Sequence, residues 1–187
     1  LVTGVQTCAL PILMAWIDLN STFNSTGIVV GQDKFQIRVS ATRILQAIVN
    51  GTPATLGTAL TRARWYHVAA TYGDGYLTLY LNGKSVATTA ISGNIAADPT
   101  KLTLGKNPLL NTNFFKGKID EVRVFNTTLT SSQIERMVYQ EIQDTASQVD
   151  GTIVPKNIGS LPFANLLRYY RMDTYKDDIV DNLTTTT

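Results

Sequence analysis

Two neighbouring acids, Asp120 and Glu121 in the run Lys118-Ile119-Asp120-Glu121-Val122-Arg123, are the residues of this chain whose type and spacing come nearest to chemistry. Two carboxyls about 5 Å apart across a glycosidic bond, one an acid and one a nucleophile, would make a retaining hydrolase. Adjacent residues of a regular strand point to opposite faces, so these two share a substrate only if the strand is irregular. His67 is the sole histidine and stands near Trp65 with no Ser or Cys partner signalled beside it. Nucleophilic catalysis therefore lacks its activating pair, and a hydrogen-bonded sheet histidine is expected. Trp65 and Trp16 are expected as core or half-core residues rather than as a platform for a ring. Further on, Asp173, Asp177, Asp178 and Asp181 crowd into one short stretch.

These residues must be held by strands. The stretch from Arg64 to Thr89 reads as a β-meander, because Leu77, Leu79 and Leu81 alternate with Tyr76, Thr78 and Tyr80 at the period of a two-faced strand. Asn82-Gly83 offers the two positive-φ positions of a type I′ turn, and Gly73-Asp74-Gly75 offers the preceding reversal. Further candidate strands are Leu13 to Leu19, Gly27 to Val30, Phe35 to Ser40, Ile44 to Asn50, Thr55 to Leu60, Lys101 to Gly105 and Phe114 to Phe125. Short strands separated by turn residues at regular spacing indicate a sandwich or barrel, and the lack of intervening helices excludes a parallel α/β fold. Along Phe114 to Phe125 the apolar parity changes between Ile119 and Val122, which predicts a β-bulge near Asp120-Glu121. Thr130-Ser131-Ser132-Gln133 is a helix start, followed by the apolar stripe Ile134, Met137, Val138 and Ile142.

Composition narrows the classes. In 187 residues, 44% hydrophobic content supports a globular core, and 16 basic against 14 acidic residues leave no basic patch for nucleic acid. One Cys and one His build neither a disulfide framework nor a structural zinc site. No apolar run is long enough for membrane insertion. Threonine is over-used, which suits exposed strand faces and an extracellular module. The opening stretch Val2 to Ile12 (VTGVQTCALPI) reads as a translated sequencing adapter, so residues 1–12 are expected to be an artefact and Cys8 to carry no meaning.

The run WYHVAATYGDGYLTLYLNGK, together with FKGKIDEVRVFNTTLTSSQI, resembles the laminin-G-like members of the concanavalin A-like lectin and glucanase superfamily. The resemblance rests on Trp65 to Val68, Leu79 to Gly83, Leu104-Gly105, Phe115 to Phe125, and Leu129 with Gln133-Ile134. It implies an all-β fold, an antiparallel jelly-roll β-sandwich with one short C-terminal helix, over residues 13–142. The family's opening strand is missing ahead of Leu13, so the chain is expected to be N-terminally truncated. Residues 143–162, rich in breakers, are expected as a linker. Residues 163–187 are expected as the truncated start of a following module, since Leu166 to Asp173 (LLRYYRMD) looks like the family's opening strand and would begin a second laminin-G-like copy.

The resemblance also sets expectations for function. Glucanases of the superfamily carry Glu-x-Asp-x-x-Glu along one strand, and here Lys118 and Arg123 stand where the outer acids belong, so no catalysis is expected. Relatives bind calcium at the sandwich rim, but the corresponding loop, Lys106 to Asn113, holds no acid. Calcium is thus not expected, Asp33 and Asp98 being the acids to suspect if a metal is found. Neutral amides can hydrogen-bond sugar hydroxyls, which makes Asn24, Asn107, Asn111 and Asn113 the candidate ligand-binding residues. The expected function is a non-catalytic binding module of a secreted or cell-surface protein, recognising a glycan or a cell-surface protein. An accessory domain of an extracellular glycan-degrading enzyme and a spacer in a repeat array are the alternatives.

Overall fold

The computed structural model describes residues 12–153 and 157–173. The adapter-like residues up to Pro11, Cys8 among them, and Pro155, Asp177, Asp178 and Asp181 lie outside the described residues. In chain order the strands are β1 (Ile12–Leu19), β2 (Gly27–Gly31), β3 (Phe35–Val39), β4 (Leu45–Val49), β5 (Thr52–Thr55), β6 (Trp65–Gly73), β7 (Tyr76–Leu81), β8 (Lys84–Ala90), β9 (Thr103–Leu104) and β10 (Gly117–Phe125). Helix α1 (Ser131–Met137) follows, then β11 (Ile142–Thr145), β12 (Gln148–Gly151), β13 (Asn157–Pro162) and β14 (Leu166–Tyr170).

Two antiparallel sheets face each other as a jelly-roll β-sandwich. One is six-stranded in the order β14-β10-β1-β6-β7-β8, and the other five-stranded in the order β5-β4-β3-β2-β9. Alternation decides what lies between them. Leu13, Ala15, Ile17 and Leu19 of β1, Val68 and Ala70 of β6, and Leu77 and Leu79 of β7 point inward against Val29, Ile37, Val39, Ala47 and Val49 of the opposite sheet. The meander turns are as expected, with Asp74-Gly75 (φ 52° and 79°) and Asn82-Gly83 (φ 49° and 80°) in the left-handed region.

The other face of the six-stranded sheet is also covered. Ile12, Met14, Ala69, Tyr80 and Phe125 pack there against Ile134 and Met137 of α1 and against Ile142, Val149, Ile158, Leu161, Leu166 and Tyr169. β1 is therefore buried on both sides. Thr130 caps α1 in a complete capping box with Gln133, as the sequence predicts.

Several expectations change. Thr55 to Leu60 is not a strand; β5 comes earlier, because Asn50-Gly51 (φ 49° and 84°) makes a tight hairpin turn and Pro53 is tolerated on an edge strand. Ile12 is not part of an inert leader but the fully buried first residue of β1. Residues 143–162 are not a structureless linker, since β11, β12 and β13 form a three-stranded sheet that closes the outer core. The LLRYYRMD segment does not stand apart as a new module: β14 pairs antiparallel with β10, through Val122↔Tyr170 to Phe125↔Leu166, and forms the edge of the main sheet.

Candidate functional site

A cleft of about 360 Å³ opens on the outer face of the six-stranded sheet, lined by Trp16, Trp65, Asp120, Glu121, Val138, Tyr139, Gln140, Glu141 and Asp173. Strand register builds its floor, for Trp16 of β1 lies opposite Asp120 of β10 on one side and His67 of β6 on the other. The predicted bulge is present. Pairing shifts between Met14 and Trp16, and Glu121 takes φ 51°. Its consequence corrects the expectation that adjacent acids diverge, because Asp120 and Glu121 both line the cleft.

Aromatic side chains wall the cleft. Trp16 donates from Nε1 to the Val138 carbonyl at 2.8 Å and meets the Tyr139 ring at a centroid distance of 5.5 Å. Trp65 is 41% exposed and Tyr139 72% exposed, so two large aromatic side chains of the lining are open to solvent. Trp65 thus lies at the exposed end of the core or half-core placement expected from sequence. His67 is buried against Trp16 edge-on at 5.6 Å, yet neither ring nitrogen has a hydrogen-bond partner among the described residues. The expected hydrogen-bonded imidazole is replaced by an apolar niche, and burial, helped by nearby Arg123, lowers its pKa to about 3.

The acids of the cleft are not equivalent. Glu121 accepts hydrogen bonds from the Arg123 guanidinium and the Tyr169 hydroxyl through one oxygen. Burial still lifts its pKa, outweighing Arg123. Asp120 accepts the Glu121 backbone N–H at 2.9 Å and has no ion-pair partner among the described residues; burial raises its pKa as well. Glu141 and Asp173 are both held by Arg171, at 2.8 and 2.7 Å.

The asparagines lie elsewhere. Asn24 accepts from Lys116 Nζ at 3.1 Å, which brings the Asn24 loop beside the segment leaving the 106–113 loop. Asn107 spends its side-chain oxygen on the backbone N–H groups of Leu109 and Leu110, at 2.8 and 2.9 Å. Asn113 donates nothing to a shared pocket; its carbonyl takes Ile28 N–H at 3.0 Å, and Asn111 and Asn113 are exposed. None of the four lines the cleft.

The rim offers little to a calcium ion, which takes six to eight oxygen ligands with carboxylates among them. Its loop has no acid and the Asn107 oxygen is committed, while Asp98 accepts from Lys34 N–H and Thr100 N–H and Asp33 pairs with Lys34 at 2.7 Å. Among the described residues no three His, Cys, Asp or Glu side chains are grouped to hold a metal. Tyr139 and Glu141 escaped sequence reasoning because they come from a segment read as the helix end, and Asp173, though noted, falls in a stretch read as part of a following module.

Comparison with known proteins agrees with this architecture. The model of the concanavalin A-like lectin/glucanases superfamily matches residues 13–135. No curated protein sequence matches. A Bacteroides ovatus protein provisionally ascribed carbohydrate binding superposes with a TM-score of 0.72 at 21% identity, covering 98% of this chain, which spans about half (51%) of that protein. A heptameric pentraxin of Limulus polyphemus gives 0.55 at 19% identity over 70% of each chain. Trypanosoma rangeli sialidase gives 0.56 at 17% identity, over 69% of this chain and 22% of the sialidase.

Proposed function

We propose, from the premise that this chain belongs to the concanavalin A-like lectin/glucanase superfamily, that it is a non-catalytic carbohydrate-recognition module and that the aromatic cleft is where the saccharide sits. One observation carries the reading: Trp65 and Tyr139, both exposed, line a cleft whose lining also supplies carboxylate acceptors. Aromatic faces take the apolar side of a sugar ring, and carboxylates take its hydroxyls. The Bacteroides ovatus neighbour supports the same direction.

Hydrolysis is disfavoured by the same geometry. Glu121 is held by Arg123 and Tyr169 through one oxygen, and Lys118 and Arg123 stand where the outer acids of the glucanase pattern belong, which supports a non-catalytic reading. The module is read as working outside the cell or at its surface, without calcium. Among the described residues no helix is long and apolar enough to cross a membrane.

A second reading is favoured by the sialidase match, which covers only 22% of that enzyme. A domain of this fold can be one part of a larger glycan-degrading chain, and this one would then deliver such a chain to its substrate.

Glycan-array screening followed by titration calorimetry tests the proposal. Trp65→Ala and Tyr139→Ala should each weaken the hits by about 5- to 100-fold, as loss of one stacking face does. Hits that neither variant weakens would move the site to the asparagine rim, and an array without hits would leave the spacer reading.

A further inference from the structure

The cleft is polarised, and its charge names a ligand class. Its lining contains Asp120, Glu121, Glu141 and Asp173 and no Lys or Arg. The two arginines behind it are spent: Arg123 on Glu121, Arg171 on Glu141 and Asp173. Four carboxylates against two guanidinium groups leave the site anionic, and Asp120 is the carboxylate left without a cation among the described residues.

Resting on the carbohydrate reading above, we infer that the cleft selects saccharides bearing a free, protonated amine and rejects anionic ones. An ammonium group in the cleft finds the aromatic rings of Trp65 and Tyr139 in its lining and gives Asp120 a charge-assisted hydrogen bond. A neutral sugar obtains the stacking and ordinary hydroxyl hydrogen bonds but no charge-assisted one. A uronic, sulfated or sialylated sugar brings a like charge toward Asp120 and Asp173 and is penalised. Burial that makes the Asp120 carboxylate costly when alone is the condition under which an arriving cation gains most.

The test uses the full chain and two oligomers of one backbone, glucosamine tetramer and its fully N-acetylated counterpart, titrated at mildly acidic pH in low and high salt. The expected result is about tenfold tighter binding of the amine form, a preference that shrinks as salt rises. Asp120→Asn, which keeps an oxygen for the Glu121 N–H, should abolish the preference for the amine form while the N-acetylated form still binds. Tyr139→Ala, at an exposed position, should weaken both forms and serves should Asp120→Asn fail to fold. Equal affinity for the two forms, or tighter binding of the N-acetylated or of an anionic glycan, overturns the amine inference and leaves the carbohydrate reading standing. Binding of neither form, with no hits on neutral or anionic glycans, overturns both.

Discussion

Arg123 donates from Nη1 to the carbonyl of Met137 at 2.8 Å, tying the bulged strand of the main sheet to the last residue of α1. The same guanidinium reaches the Gln140 carbonyl and the Glu121 carboxylate and lies over the Tyr169 ring at 5.1 Å, with no exposed surface of its own. A cation at a helix C-terminus answers the unpaired carbonyls there.

Arg123→Met should therefore cost about 3–5 kcal/mol in urea unfolding, because it leaves the half-buried Glu121 carboxylate without its cation and takes a donor from the Met137 and Gln140 carbonyls. Arg123→Lys should recover little, since a single ammonium cannot serve three acceptors held in a planar fork. Full rescue by lysine would show that charge alone matters.

His67 makes a pH-dependent contribution. Its folded pKa is about 3 against an ordinary 6.5, so between these values the unfolded chain binds a proton that the folded chain refuses. Stability on this account rises with pH through the window, is complete above 6.5, and falls by about 1.4 kcal/mol per unit as the pH drops within it. Asp120 and Glu121, whose pKa values are raised, act with the opposite sign above the ordinary carboxylate range. The difference between wild type and His67→Phe isolates the histidine: the variant should lose this slope and be at least as stable at neutral pH, because two unpartnered buried nitrogens are gone. An unchanged slope in the variant would show that the imidazole titrates normally.

The sandwich was legible because its turns use residues with a single meaning. Asn82-Gly83 and Asp74-Gly75 pin the meander, and the parity change after Ile119 announces the bulge. The hairpin between β11 and β12 was not legible, because Ala146 and Ser147 take φ 51° and 63° at its turn, positions where glycine or asparagine would have been the signal. Without that hairpin the outer core has no visible partner, and Ile142 reads as the end of a helix rather than the start of a strand. The cleft was hidden for the same reason, since Tyr139, Glu141 and Asp173 meet Trp16 only once the outer layer folds back.

The rim asparagines remain separable from the cleft. If Asn111 and Asn113 hold a saccharide, each lost amide bond costs about 0.5–1.5 kcal/mol, so the double alanine variant should weaken binding by roughly 5- to 150-fold. On the cleft reading that variant binds like wild type, and calorimetry on one glycan hit distinguishes the two. Chelator should leave either affinity unchanged, given that the Asn107 oxygen already serves two backbone donors.

The segment that resembles an opening strand makes the most demanding prediction. β14 covers the outer side of β10, and Ile158, Leu161, Leu166 and Tyr169 are each at most 4% exposed in the outer core. Tyr169 also donates to Glu121 and receives Ile142 N–H at 3.3 Å. Burying an aliphatic or aromatic side chain of this size is worth about 1.5–3 kcal/mol, so a chain ended after Ile153 should lose on the order of several kcal/mol and expose the β10 edge to aggregation. Leu166→Asp, which alters no chain length, should destabilise in the same direction by placing a charge in that core. Were the truncated chain monomeric and as stable as the full one, residues 157–173 would belong to a separate unit, as the resemblance to an opening strand first suggested, and their place beside β10 would contribute nothing to this domain.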